Sequence, residues 1–303
     1  MGHRAIRDAA GVIARLCLAV AALFALLAMP APALAWGYFG HETTARIALA
    51  NVSPQTRTAI ARLLRSEREL GTPDCPLRSL ENAATWPDCL RGQSWRWAYT
   101  FAWHYQTEPI GEPYDARKNC GGGACVSAQI ERNHRILADE SLPAAIRLEA
   151  LAFMTHFAGD IHMPLHSGDN EDRGGNDVET TYGIAPGLNL HSVWDSALAD
   201  RAITAADPPL VRRYSPEERA ALAGGGPGDW GRESWELAVG FVYANALGRE
   251  PVAGEKADPA TLTQDAIAAA LPVAERRIVQ AGLRIAALLD SAFAPGPLRQ
   301  TTR

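Results

Sequence analysis

Positive charge is the first thing this chain is short of. Its 303 residues carry 29 Lys and Arg against 34 Asp and Glu, a formal net charge of −5. Affinity for a polyanion therefore cannot come from bulk charge. There is no collagen-type glycine period, no coiled-coil composition and no internal repeat. Extended disorder is excluded too, because 47% of the residues are apolar and only 21% charged, the profile of a chain that can bury a core. Strand signals are few, and no low-complexity linker divides the sequence. Length alone admits two ordinary domains or one large one; without a linker, one is the economical reading.

What is present begins with a leader. Arg4, Arg7 and Arg15 stand against Asp8 alone, Cys17 to Met29 is an apolar run, and Pro30, Pro32 and Ala33-Leu34-Ala35 follow. That order is a secretory signal with an A-x-A cleavage site. The run is too short for a comfortable membrane span, and the A-x-A stop argues against an uncleaved anchor. The expectation is that residues 1–35 are removed and residues 36–303 form a single exported domain beginning at Trp36, periplasmic or extracellular. Losing three Arg and one Asp takes the charge from −5 to −7. No later stretch is apolar enough for a bilayer, so no membrane association is expected after processing, and a monomer is the default.

Four cysteines remain: Cys75, Cys89, Cys120 and Cys125. An even number in an exported chain reads as two disulfides, with three possible pairings. The glycine-rich loop from Cys120 to Cys125 is short enough to close on itself, which would leave Cys75 with Cys89. A zinc site is the poorer reading, because C-x4-C with a triple-Gly insert is bad ligand spacing. Asn51-Val52-Ser53 is a formal glycosylation sequon, followed by Pro54.

Periodicity predicts helix after helix. Thr43 to Ala50 and Gln55 to Arg65 are separated by Ser53, a good N-cap, and Pro54, a good first helical residue. Ser127 to Asp139 carries Ile130, His134 and Leu137 on one face. Pro143 opens a helix with the stripe Ile146, Ala150, Phe153 and Phe157. Further helices are expected over Asn189 to Asp200, Trp230 to Leu247 and up to about Asp290, with Pro272 marking the start or a kink of the last. Ala98 to Gln106 is aromatic and reads as extended, and Val178 to Tyr182 with Gly183 and Pro186-Gly187 as a small hairpin. The fold class is all-α, a single multi-helix domain with at most that hairpin.

Histidine and aspartate carry the chemistry. His156 and Asp160 are four apart, so they share a helix face; His191 and Asp195 repeat the spacing, and His166 lies between the pairs. One such pair is usually an ion pair. Two, with further His and no thiolates, suit a catalytic zinc site in an oxidising compartment. His134 sits in an apolar stripe and reads as packing. His162 lies off the shared face and reads as support for a ligand. Trp86, Trp95, Trp97 and Trp103 read as core, although a cleft that stacks bases also uses aromatics.

Seven segments read together: Trp36-Gly-Tyr-Phe-Gly-His41, Ala84-Thr-Trp-Pro-Asp88-Cys-Leu-Arg91, Trp103-His104-Tyr105, Cys120 to Val126, Thr155-His156-Phe-Ala-Gly-Asp160-Ile-His-Met-Pro-Leu-His166, Gly174-Gly175-Asn176-Asp177 and Asn189-Leu-His191-Ser-Val-Trp194-Asp195. In this order they resemble the three-zinc, single-strand-specific nucleases of the S1/P1 type. The resemblance implies the all-α fold of those nucleases and of zinc phospholipase C. It implies hydrolysis of single-stranded DNA and RNA to 5′-phosphorylated products, with removal of 3′-phosphates from 3′-nucleotides. It implies three Zn2+: one on Asp88, His104, His156 and Asp160; a second on His41, the bridging Asp160 and the α-amine and carbonyl of Trp36; a third on His166, His191 and Asp195. Asp88 would orient the attacking water and Arg91 would stabilise the transition-state phosphate. Tyr105 would stack a base and Asn176 would lie near the substrate. Thr107 departs from the pattern, in which Asn or Asp follows the stacking aromatic by two residues, so the base edge is read differently here.

Three zinc ions answer the charge deficit. They would place six positive charges where a phosphate must sit, and base stacking, which every base can supply, would add to the grip. A stacked base must leave its duplex, so single strands are favoured. Zinc phospholipase C is the alternative, but that group ends its ligand set with His-x-x-x-Glu where this chain has Asp195. A non-catalytic binding protein on the same scaffold is disfavoured because no ligand position is missing.

Overall fold

Capping side chains and apolar residues spaced three to four apart divide this chain into helices. The structure, a computed structural model, describes residues 36–294; the expected leader, residues 1–35, lies outside them. The helices are α1 (Tyr38–Asn51), α2 (Pro54–Leu63), α3 (Leu80–Cys89), α4 (Val126–Ala138), α5 (Ala144–Asp160), α6 (190–205), α7 (Pro216–Leu222), α8 (227–247) and α9 (Gln264–Ala292). Ser53 caps α2 by accepting the Thr56 N–H, with Pro54 in its first turn. Asn189 and Ser192 close a capping box on α6. Both α6 and α8 contain a π turn, at Val193–Leu198 and Ala238–Val242.

Strands are short. β1 (Glu108–Pro109) pairs in parallel with β2 (Gly168–Asp169). β3 (Glu179–Tyr182) and β4 (Ala185–Asn189) form the expected hairpin, and β5 (Ala260–Leu262) adds to it in parallel, giving the order β4-β3-β5. The fold is all-α.

Two apolar clusters hold the helices. The first gathers Ile60, Ala84, Trp86, Ile130, Phe153, Phe157 and Leu289; the second gathers Trp36, Leu165, Val193, Trp194, Tyr243 and Ile278. They meet at the C-terminal end of α5, where every residue from Ala150 to Asp160 is buried. Cys75 is bonded to Cys89 and Cys120 to Cys125. The first bridge fixes the residue next to Asp88.

Three expectations change and two open readings narrow. Ala98 to His104 is a 3-10 helix, not extended, because Tyr99 and Trp103 pack edge to face, and Trp97 and Trp103 pack on Phe153 of α5. Pro272 lies inside α9, which starts at a Thr263 cap; the carbonyl it leaves unbonded, at Ala268, is at an exposed position. Ile146 is exposed, so the α5 stripe begins at Ala150. Trp95 is 85% exposed and is not core. Asn51 is buried, with Nδ2 donating to the Ile47 and Arg212 carbonyls, so the sequon nitrogen is engaged in the fold. Among the described residues no helix is long and apolar enough to cross a membrane.

Candidate metal centre

The end of α5 supplies His156 and Asp160 one turn apart, and α1, α3 and the 3-10 turn before β1 bring His41, Asp88 and His104 to them. His41 Nε2 lies 3.2 Å from Asp160 Oδ1, and His156 Nε2 and His104 Nδ1 lie 3.1 and 3.0 Å from Asp160 Oδ2. Asp88 Oδ1 is 3.7 Å from His104 Nδ1 and 3.8 Å from His156 Nε2. The His41 and His156 rings stack at 4.1 Å. Gly159 permits this, since a Cβ there would stand 2.8 Å from His41 Nδ1. In the second group His191 Nε2 lies 3.0 Å from Asp195 Oδ2, and the His166 ring stacks on His191 at 5.1 Å. Asp195 sits in the π turn of α6, a kind of irregularity common at functional sites.

The ring tautomers follow from the partners. His156, His166 and His191 each present Nδ1 to a carbonyl, of Ala84, His104 and Gly174 respectively, at 2.6 to 2.7 Å. A carbonyl only accepts, so Nδ1 carries the hydrogen and Nε2 is left to face the centre. Gly174 offers that carbonyl from a left-handed turn (φ +61°), where a Cβ would stand 2.3 Å from the Leu165 carbonyl oxygen. The turn is pinned by Asp169 and Asp172, which accept from the Gly174 and Gly175 N–H groups; Tyr243 donates to Asp172.

Buried charge here is only partly compensated. His41 Nε2, Asp88 Oδ1, Asp160 Oδ1 and both Asp195 carboxylate oxygens are buried without a hydrogen-bond partner. Burial favours neutral His104 and lowers its pKa, and it takes His166 down to about 3. Burial opposes charge on His156 and His191 as well, but Asp160 with Asp88 at the first and Asp195 at the second outweigh it and raise both. Burial also raises Asp195. At Asp160 the three neighbouring histidines overcome burial and hold the carboxyl well below its usual range.

These residues form three groups whose candidate ligand atoms lie within 4.8 Å of one another: His41, His156 and Asp160; Asp88, His104 and His156; His166, His191 and Asp195. Zinc with bonds of about 2.0–2.2 Å to N and O places tetrahedral ligand atoms roughly 3.3–3.6 Å apart. The contacts of 3.0 to 3.8 Å straddle that value, and the donor set is nitrogen and oxygen only. The residues fit a cluster of borderline divalent cations.

Around the centre, Arg91 Nε lies 3.2 Å from Asp88 Oδ1. Trp36 is buried and its indole donates to the Gly159 carbonyl, next to Asp160. Tyr105, 47% exposed, follows His104, and the Gln106 N–H donates to the His166 carbonyl. The Thr107 methyl stands beside Gly174, and Asn176 is tied to the Arg173 carbonyl on the same turn. His162 is corrected: its Nε2 faces Arg284 in a separate buried cluster with Glu233, Arg277 and Ser234. Sequence reasoning missed that cluster; two arginines seven apart inside the apolar stripe of α9 were the available signal. It also missed Asp169, Asp172 and Tyr243.

The arrangement is that of buried His and Asp groups able to hold metal on a helical scaffold, the setting of a metal-dependent hydrolase. The comparisons make it specific. The S1/P1 nuclease pattern matches residues 36–294, and the chain belongs to that family. It is 28% identical to Endonuclease 4 of Arabidopsis thaliana over 88% of this chain and 91% of that one. It is 30% identical to Nuclease S1 of Aspergillus oryzae over 63% of this chain and 64% of that one. To Nuclease P1 of Penicillium citrinum it is 30% identical over 55% and 60%.

Proposed function

We infer that this protein is a single-strand-specific endonuclease that hydrolyses phosphodiester bonds through a metal cofactor, exported after removal of residues 1–35. The observation that carries the reading is the set of buried, unpartnered carboxylate oxygens and imidazole nitrogens drawn from five separate segments into three groups. Family membership favours nucleic acid over phospholipid as substrate, as does Asp195 at the last ligand position.

We assign three Zn2+ to the chain. Asp88, His104, His156 and Asp160 would hold one, His41 with Asp160 and the processed Trp36 a second, and His166, His191 and Asp195 the third. Bound zinc would lower the pKa of water to about 7 and polarise the phosphate. The remaining work falls to the chain's own groups. Asp88 accepts a hydrogen bond from the attacking water and fixes its line of approach. Arg91, braced at Nε by Asp88, aims the rest of its fork at the phosphate oxygens. Tyr105 offers its exposed ring to a base, which a duplex would not release. Thr107 and Asn176, on neighbouring backbones, line the base edge. Cleavage on the 3′ side leaves 5′-phosphorylated products, and a 3′-nucleotide is the shortest substrate that meets the same groups.

The test is direct. Mature protein loaded with zinc is incubated with single-stranded DNA, single-stranded RNA, duplex DNA, a 3′-nucleotide and phosphatidylcholine across a wide pH range. Cleavage of both single strands to 5′-phosphorylated products is expected, with duplex and lipid spared. Intact single strands at every pH would overturn the reading, and lipid turnover would favour a phospholipase.

A further inference from the structure

The two most exposed aromatic side chains among the described residues have no part in the account so far. Trp95 and Tyr99 are 85% and 59% exposed and lie on consecutive turns of the segment that leads to His104. Tyr99 is held from two sides. Its ring stacks on Trp97 at 6.1 Å with an interplanar angle of 25°, and it packs edge to face with Trp103 at 5.3 Å. Each of these tryptophans carries an arginine on its ring: Arg96 lies over Trp97 at 4.7 Å, and Arg132 of α4 over Trp103 at 5.9 Å. Trp103 packs in turn on Phe157, whose ring lies 5.2 and 5.6 Å from those of His104 and His156. One packed series of rings thus runs from the metal-type cluster out to Tyr99.

Charge at this surface is positive, although the chain as a whole is negative. Arg96 donates to the Leu70 and Gly71 carbonyls, and on α4 the ion pair is Glu131 with Arg135, which leaves Arg132 outside it. Glu149 of α5, whose charge both Arg96 and Arg132 feel, is half-buried and pairs with neither. A ring already fixed by its neighbours loses little freedom when a base stacks on it. Guanidinium groups on either side of that ring suit the phosphates that flank the base. Ring and cations together fit a nucleotide strand, where an apolar partner would leave the arginines unused. We propose that Tyr99, with Arg96 and Arg132, forms an outlying site for single-stranded nucleic acid, which holds a part of the strand beyond the nucleotides at the metal centre. The inference rests on the nuclease reading and adds to it a preference for strands long enough to reach both places.

The experiment uses zinc-loaded mature protein and two substrates. One is a 3′-mononucleotide; the other is a single-stranded oligomer of about twelve nucleotides, within the span that single-strand surfaces cover. Tyr99→Ala is expected to lower kcat/KM for the oligomer roughly tenfold, the effect of losing one stacked base. The change should lie in KM more than in kcat, and the mononucleotide should be turned over as by wild type. Tyr99→Phe keeps the ring and should keep the oligomer near wild type. Arg132→Gln should reduce the slope of log KM for the oligomer against log salt by about 0.7, the share of one phosphate contact on a single strand. An unchanged oligomer kcat/KM in Tyr99→Ala overturns the site. So does an equal fall on both substrates, because the residue then acts through the fold. If Tyr99→Ala does not fold, Arg132→Gln decides alone, and an unaltered salt slope overturns the site. A wild-type protein that cuts no single strand overturns the nuclease reading instead, so the two failures are distinct.

Discussion

Around Arg277 and Arg284 buried charge meets an opposite carboxylate and polar acceptors, with Arg284 Nε left unpartnered, whereas the carboxylates of Asp160 and Asp195 face histidines at 3.0 to 3.2 Å, and Asp160 Oδ1 and both Asp195 oxygens accept no hydrogen bond. Arg277 spends its donors on the His162 and Trp230 carbonyls, Glu233, Gln280 and Ser234. Arg284 donates to both oxygens of Glu233 and to His162 Nε2. An arginine only donates, so that nitrogen is unprotonated and His162 is neutral; burial and the two arginines likewise hold its pKa well below the usual value. Ser234 passes the contact on to the Ile161 carbonyl, so this cluster clamps the turn between Asp160 and His166. The metal-type cluster gathers three carboxylates and five histidines, and carboxylate oxygens of all three accept no hydrogen bond although each carboxylate lies 3.0 to 3.2 Å from a histidine or arginine nitrogen. A closed network stabilises a fold, whereas an open one of the same burial is a site that requires a cation.

Breaking the open cluster should cost activity before stability. Asp160→Ala removes the carboxylate shared by His41, His104 and His156. It is expected to lower kcat about 10²- to 10⁴-fold, corresponding to the several kcal/mol that a correctly held metal contributes. Bound metal per chain should fall with it, read by elemental analysis. The urea midpoint of the metal-free variant should move less than that of the next variant.

Breaking the closed cluster reverses the order. Glu233→Gln leaves two buried guanidinium groups side by side. Loss of a partner from a buried pair costs about 3–5 kcal/mol, and the partial exposure of Glu233 puts the expectation near the lower end, about 3 kcal/mol. Urea denaturation measures it, and a midpoint equal to wild type would remove the distinction drawn between the clusters. A smaller effect, confined to the open cluster, should follow from one residue added before Trp36. The added amide cannot replace a free α-amine as ligand, and metal affinity should fall about tenfold, as for loss of a supporting contact. Unaltered affinity would exclude Trp36 from the ligand set.

The open cluster was legible in the sequence and the closed one was not. His156 with Asp160 and His191 with Asp195 announce themselves because four residues make one helical turn. Ser53, Pro54 and Asn189 announce helix starts because a cap acts within three residues. Arg277 and Arg284 are hidden because their partners lie in the turn after α5 and on α8, 43 or more residues away, apart from Gln280, and a count of apolar positions passes over them. Ala98 to His104 misled for a related reason: aromatic residues favour strands on average, but here their rings pack on Phe153, and tertiary packing overrides local preference.

The finest test of the comparison is pH. Burial raises the Glu233 pKa, but the hydrogen bonds and charges of Arg284 and Arg277 outweigh it and hold the group below its usual 4.5. The unfolded chain then takes up this proton first as the solution is acidified. Between the two pKa values the unfolded state binds more protons, so stability falls as pH falls. The contribution is whole above about pH 4.3, the unfolded value, and is lost as pH drops through the folded one. Gln does not titrate. The stability gap between wild type and Glu233→Gln should therefore stay constant from neutral pH down to about 4.5 and narrow below it, read from urea midpoints of metal-free protein at each pH. Metal-free protein is required because acid protonates the ligands and releases the metal, which would superimpose the titration of the open cluster on that of the closed one. A gap that holds to pH 3, or one that closes while Glu233 is still ionised in both states, would show that the arginines draw their stability from elsewhere.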